Sequence, residues 1–211
     1  MQVKRGGEEN FVFSLTLENC AVRRGERMLL SGLSLRLSPG DLVWLTGDNG
    51  IGKSSVLRLA AGLLRPEEGS ITYSRETTEV AAPELVSLLA HETGLHPSLT
   101  VEEELRFWSV KSESLDSVIM QLGLTDILKQ AIKTLSAGQK RRVAIARLIL
   151  SYKPVWLLDE PLSALDAQGR DVLLEAVKTH TQNGGAVMIA THHIPDTLGG
   201  DAAILNLSVA S

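Results

Sequence analysis

The chain has 211 residues, 44% of them apolar, a formal net charge of -4 and a single cysteine, Cys20. That is enough apolar chain for a sizeable core in one large domain or two small ones, and the charge gives no general attraction to nucleic acid or acidic lipid. One cysteine cannot close an internal disulfide, which fits a reducing compartment.

The first ten residues are polar and lack the apolar stretch of a signal peptide. Apolar runs such as Val155–Leu158 are too short to span a bilayer. The expectation is a soluble, cytosolic protein whose membrane role, if it has one, comes through a partner. Ser14–Glu18 alternates like a half-buried strand. Leu29–Leu37 reads as a second strand before the turn Ser38–Asp41. Leu42–Thr46 is continuously apolar, as a buried strand is. A glycine-rich loop follows, then a helix over Val56–Leu64 that Arg65 and Pro66 end. Ser70–Tyr73 and Leu85–Ala90 read as strands, and Thr100–Gly123 takes helical spacing, with Thr100 and Glu103 placed as a capping box. A long helix is predicted over Ser136–Leu150, a buried strand at Val155–Leu158, a helix over Gln168–His180, and strands at Ala186–Thr191 and Ala202–Leu207. Alternating strands and helices predict an α/β fold with a mainly parallel sheet. Residues 92–151 are mainly helical and read as a subdomain inserted into a core of residues 14–91 and 152–211.

Two segments look built to hold phosphate. The first runs Gly47, Asp48, Asn49, Gly50, Ile51, Gly52, Lys53, Ser54, Ser55, and fits the Gly-x-x-x-x-Gly-Lys-Ser loop of nucleotide-binding proteins. Its glycines let several N–H groups turn inward onto an anion, and the following helix adds the positive end of its dipole. Lys53 is placed to reach the β- and γ-phosphates of a nucleotide, and the Ser54 hydroxyl to ligate Mg2+, a cation that prefers oxygen. Asp159 and Glu160 end the apolar run Val155–Leu158. A carboxylate there is where such a fold puts a magnesium ligand, so Asp159 takes that role and Glu160 that of the base for the attacking water.

The second segment is Leu135, Ser136, Ala137, Gly138, Gln139, opening the long helix. Ser136 can cap that helix and Gly138 allows a close backbone approach, but no lysine is aimed at a ligand. A second, incomplete anion site implies that something else brings the phosphate.

Taken together these motifs resemble the ATP-binding cassette (ABC) ATPases. Leu135–Gln139 matches the family's signature between the phosphate loop and the acidic strand, Pro161–Asp166 its D-loop, with Asp166, and Ala190–His192 its switch histidine, His192. The order and spacing match from about Leu15 to Leu207. The resemblance implies a head-to-tail dimer in which each ATP lies between the loop of one subunit and the signature of the other. Either an identical chain, making a homodimer of cassettes, or a different cassette would be the partner. It implies integral membrane subunits as further partners, with this chain on the cytoplasmic side of the inner membrane. It also implies that His192 links the γ-phosphate to Glu160. A narrower resemblance, carried by the signature with its arginines and by Thr191, His192 and His193, is to the haem-exporter ATPases of cytochrome c maturation. No direct haem contact is expected here: His91 and His96 read as exposed loop residues and Trp108 as core.

Two positions depart from the family. Glu92 stands where a glutamine usually reaches Mg2+ and the attacking water; a carboxylate still binds metal but adds charge near the γ-phosphate. Arg24 stands where an aromatic residue usually stacks on adenine, and a guanidinium can also stack there. The cluster Lys140, Arg141, Arg142 reads as a solvated helix face or a packing edge. Chromosome-type family members need a long coiled-coil insertion, for which the roughly eighty residues between Ser54 and Leu135 leave no room, and translation-type members carry two cassettes. A P-loop kinase would explain the first segment but not Leu135–Gln139 or Asp166.

Overall fold

The computed structural model describes residues 11–24, 27–109, 115–195 and 202–207; the first ten residues, read above as no signal sequence, lie outside them. Two sheets share the chain. Strands β1 (Phe13–Arg24), β2 (Arg27–Leu37), β4 (Glu68–Arg75) and β5 (Thr78–Glu79) form an antiparallel sheet in the order β2-β1-β4-β5. Strands β3 (Leu42–Thr46), β6 (Val86–Leu89), β7 (Val155–Asp159), β8 (Ala186–Ala190) and β9 (Ala203–Asn206) form a second sheet in the order β6-β7-β8-β3-β9. Every pair in it is parallel, which requires a crossover between neighbours.

Strand alternation gives the parallel sheet two apolar faces. Trp44, Leu89, Trp156, Leu158, Val187 and Ile189 pack against helices α3 (Val101–Trp108), α4 (Leu115–Gln121) and α5 (Ala137–Leu150), while α6 (Ala167–Gln182) adds Leu173 and Val177 to the same cluster. Val43, Leu45, Val155, Leu157, Met188 and Ala190 face the other way, onto α1 (Lys53–Ala60) and the antiparallel sheet. β7 and β8 are buried throughout, as their continuous apolar sequence demands.

Local chemistry explains the element ends. α3 starts at the capping box read from the sequence: Thr100 Oγ1 accepts from the Glu103 N–H, and the Glu103 carboxylate accepts from the Thr100 N–H. α1 is shorter than expected. It stops at Gly62, whose φ of +70 suits glycine and whose position leaves 2.9 Å to the Ala82 side chain for any added Cβ. Leu85 belongs to a short helix, α2 (Ala82–Leu85), and not to the strand after it.

Late in α6, His180 is buried and stacks on Trp156, with ring centroids 3.9 Å apart and planes 7° from parallel. Its Nε2–H donates to the Pro154 carbonyl at 3.0 Å. Gly185 makes room for the ring, since a Cβ there would sit 2.2 Å from Nε2. Burial pushes the His180 pKa down to about 4, against a small opposing effect of the Pro154 hydrogen bond. The unfolded chain therefore binds the proton first as pH falls, and stability that is full above about pH 6.5 is lost progressively toward pH 4. Between pH 7.5 and pH 5 this one group should remove about 2 kcal/mol of stability, read from urea denaturation curves. The His180→Phe variant should show a pH dependence flatter by that amount.

Candidate functional site

The carboxyl edge of the parallel sheet carries the site. At the end of β3 the Leu207 N–H donates to the Thr46 carbonyl at 2.9 Å, and a Cβ on Gly47 would lie 2.8 Å from the Leu207 carbonyl oxygen. Gly47, with φ +134, is thus fixed by both conformation and space. Asp48, Asn49 and Gly50 are exposed, whereas Ile51 is buried. Gly52, at φ +118, is the residue before α1 and offers no side-chain cap, and the first turn of α1 has no acidic residue. Helices α3, α5 and α6 all begin with a side-chain cap. The start of α1 therefore keeps its N–H groups and dipole for an external anion. Lys53, only 8% exposed, bends back across the loop and donates to the Gly47 and Asp48 carbonyls at 2.7 and 3.1 Å. Ser54 and Ser55 follow it, half-buried.

Asp159 shares the β7 face of Val155 and Leu157, the face that packs on α1. Its side chain is 8% exposed, yet no described residue donates a hydrogen bond to its carboxylate. This largely buried carboxylate, which accepts no hydrogen bond from a described residue, and the Ser54 hydroxyl on the neighbouring helix are hard oxygen donors and fit a magnesium ion. Among the described residues no three His, Cys, Asp or Glu side chains gather as a metal cage, so such an ion would take its other ligands from water or a bound phosphate. Glu160 sits at φ +44, a strained setting for a non-glycine residue. Its N–H donates to the Ala190 carbonyl at 3.0 Å, and its carboxylate Oε1 lies 2.7 Å from Nδ1 of His192. The adjacent ends of β7 and β8 thus bring Glu160 and His192 together.

The second segment is internally capped. Ser136 Oγ accepts from the Gln139 N–H at 3.2 Å, and the Gln139 side chain accepts from the Ser136 N–H at 2.9 Å. Leu135 is buried in the helical core, Ala137 is exposed, and a Cβ on Gly138 would come within 3.2 Å of the Ala164 carbonyl. The glycine therefore permits close approach of the loop after Glu160. Asp166 caps α6 through the Gly169 N–H at 2.9 Å and pairs with Arg142. The Gly169 N–H chiefly, and Arg142 with it, hold its carboxyl below the usual carboxylate range.

The basic cluster is not a solvated face. Arg141 is 4% exposed and its guanidinium donates to the carbonyls of Ala90, Asp159, Glu160 and Pro161, at 2.8, 3.0, 2.9 and 3.3 Å. Burial pushes its pKa down, and the negative charge of Asp159 opposes that. Arg142 reaches the Leu122 carbonyl at 3.2 Å as well as Asp166. Charge alone made both look superficial; the buried Val143 and Ile145 that follow were the available signal that this helix is covered on most sides.

Glu92 is exposed in the loop after β6 and borders an open cleft of about 620 Å3 with Ala137, Arg141, Ser163 and Ala164. That loop is held from below by Arg147, which donates to the Thr93 and Gly94 carbonyls at 2.5 and 2.9 Å and pairs with buried Glu104 at 3.2 Å. His91 and His96 are exposed. Trp108, expected in the core, is instead 38% exposed, edge-on to Phe107 and beneath the Arg147 guanidinium. It shares the face of Val101, Glu104 and Leu105 but is the last residue of α3. Arg24 ends β1, and its side chain lies outside the described part of the structure.

Comparisons with known proteins agree with this geometry. A family model described as ABC transporter matches residues 30–163. A cytochrome c biogenesis ATP-binding export protein CcmA from Agrobacterium fabrum is 41% identical over 188 residues, covering 84% of this chain and 88% of that protein. The protein of the same name from Vibrio vulnificus strain YJ016 is 40% identical over 187 residues, covering 84% and 91%. Among solved structures, a putative ABC transporter ATP-binding protein from Pyrococcus furiosus superposes with a TM-score of 0.75 at 23% identity, over 92% of this chain and 97% of that one. An ATP-binding subunit of an ABC transporter superposes with a TM-score of 0.75 at 25% identity, over 84% and 79%.

The pair beneath the Glu92 loop makes a direct test of the site's support. Glu104→Leu leaves the Arg147 guanidinium without its buried counter-charge and should cost about 3 kcal/mol in urea denaturation. Glu104→Gln, which keeps an acceptor, should cost distinctly less.

Proposed function

The chain belongs to the ABC transporter family, and from that premise we propose that it is the ATP-hydrolysing subunit of a haem-export or haem-chaperone-release complex in cytochrome c biogenesis. The hydrolytic part of this reading is carried by the Glu160–His192 pair, held at 2.7 Å on adjacent parallel strands beside the Gly47–Ser54 loop. The export part is supported by the CcmA relatives, whose names state that role. Among the described residues no helix is long and apolar enough to cross a membrane; on this reading membrane subunits supply the transport path. On this reading the chain sits peripherally on the cytoplasmic face of the inner membrane.

The N–H groups at the start of α1 and Lys53 hold the β- and γ-phosphates of ATP, with Lys53 exchanging the loop carbonyls for phosphate oxygens. Ser54 and Asp159 would hold Mg2+, which would supply charge neutralisation at the phosphates. Glu160 accepts a proton from water as the water oxygen attacks the γ-phosphorus; the bond to the bridging oxygen breaks and ADP leaves with that electron pair. The Nδ1–H of His192 donates to Glu160 and orients the carboxylate; only a doubly protonated ring also offers an Nε2–H to the γ-phosphate. Glu92, across the cleft from the first turn of α5, is the remaining candidate oxygen donor for the metal, and Arg24 the candidate platform for the base.

The segment Leu135–Gln139 takes the γ-phosphate of an ATP carried by a second copy of the chain. Its cap already uses one N–H of the first turn, and it has no cation of its own. Residues 92–151 form the unit that presents it, and Asp166 braces that unit through Arg142.

Two experiments test this. Glu160→Gln should lower steady-state ATP hydrolysis by about 10^2-fold or more while ATP binding persists, and the variant should run as a dimer in ATP on gel filtration. Undiminished hydrolysis would remove Glu160 from the chemistry. Affinity purification from detergent-solubilised membranes should bring down integral membrane subunits, and their consistent absence would overturn the transporter role.

A further inference from the structure

Resting on the hydrolytic reading above, we propose that Arg141 is a positioning residue for the reaction. Through the backbone it fixes the geometry of Glu160 and ties it to the helix that carries Ser136 and Gln139.

Three successive carbonyls, of Asp159, Glu160 and Pro161, converge on one buried guanidinium, and a fourth comes from Ala90, at the end of the neighbouring strand. A turn whose consecutive carbonyls point at one centre needs a cation or a set of donors there, because otherwise their dipoles repel. The guanidinium's fork of five N–H donors spans them, which an ammonium on a flexible stem does less well. Among the described residues no carboxylate accepts a hydrogen bond from Arg141.

The turn it holds is the one that matters for chemistry. Glu160 at φ +44 is unfavourable for a residue with a side chain and persists only if its surroundings impose it. The constraints are the Glu160 N–H on Ala190, the Ser163 N–H and hydroxyl on the Glu160 carbonyl, and Arg141 on both flanking carbonyls and its own. Arg141 alone among them comes from α5, two residues beyond Gln139. Displacement of the first turn of α5 by an anion would therefore be felt at the Glu160 backbone through a single side chain. Ala90, on the same guanidinium, brings in the loop that carries Glu92.

The test is a double-mutant cycle under single-turnover conditions with radiolabelled ATP, beside equilibrium binding of a fluorescent ATP analogue. Arg141→Met should lower the hydrolysis rate 10- to 100-fold, with analogue affinity within about twofold of wild type. In the Glu160→Gln background the same substitution should change the residual rate less than about twofold, because the group it positions is gone. Arg141→Lys keeps the buried charge and three donors, folds even if the methionine variant does not, and should lose about tenfold in rate by the same pattern. Equal fold-losses in both backgrounds, or rates within twofold of wild type for either variant, would overturn the proposal. Glu160→Gln turning over like wild type would overturn the hydrolytic reading itself.

Discussion

The register of the parallel ladder decides where every chemical group of this protein stands. At the carboxyl edge the Thr191 N–H binds the Leu45 carbonyl at 3.1 Å, the Glu160 N–H binds Ala190 at 3.0 Å, and the Leu207 N–H binds Thr46 at 2.9 Å. These bonds align the ends of β3, β7, β8 and β9, so that Gly47, Asp159, Glu160 and Thr191 emerge side by side. A slip of one residue in β7 would turn Asp159 away from α1 and bury its carboxylate among Trp44, Leu89 and Ile189, while Trp156 turned onto the α1 side. The uninterrupted apolar run of β7 makes its two faces nearly interchangeable in hydrophobicity. The large side chains supply the distinction: the tryptophans of β3 and β7 fit only the side that α5 and α6 cover.

α5 is the second organising element, and its arginines set it apart from an ordinary buried helix. Seven of its residues are buried, among them Arg141. Arg141, Arg142 and Arg147 reach three different neighbours: the Glu160 turn, the end of α4 with Asp166, and the loop around Glu92. These loops also bury apolar side chains, Leu165, Leu122 and Leu95, and the carbonyl–guanidinium bonds fix their backbones beside them. Loops secured through their own backbone keep their side chains free for other work.

Much of the architecture was legible in the sequence because it rests on signals that physics makes local. Continuous apolar runs gave β3, β7 and β8; Thr100 with Glu103 gave the start of α3; the spacing of Gly47, Gly52 and Lys53 gave the glycine-rich loop between β3 and α1. The misreadings came where a residue's neighbours in space outweigh its neighbours in sequence. Gly62 ends α1 because Tyr73 and Ala82 crowd it from other elements. Arg141 is buried because four carbonyls from two strand ends surround it, and nothing in Lys140–Arg142 advertises them. Trp108 is large and apolar and shares the face of Val101 and Leu105, yet as the last residue of α3 it is 38% exposed, with Arg147 over its ring.

The position of β3 has a consequence for the order in which the protein matures. β3 bears the phosphate loop and is made early, but both strands that flank it, β8 and β9, begin more than 130 residues later. Gly47 in particular is shaped by the carbonyl of Leu207. While the chain is growing on the ribosome, the loop has its full sequence and no walls. The antiparallel β1–β2–β4 unit, whose contacts are closer in sequence, can assemble first and shelter β3 from one side. The loop therefore gains its last wall only once residue 207 has left the ribosome.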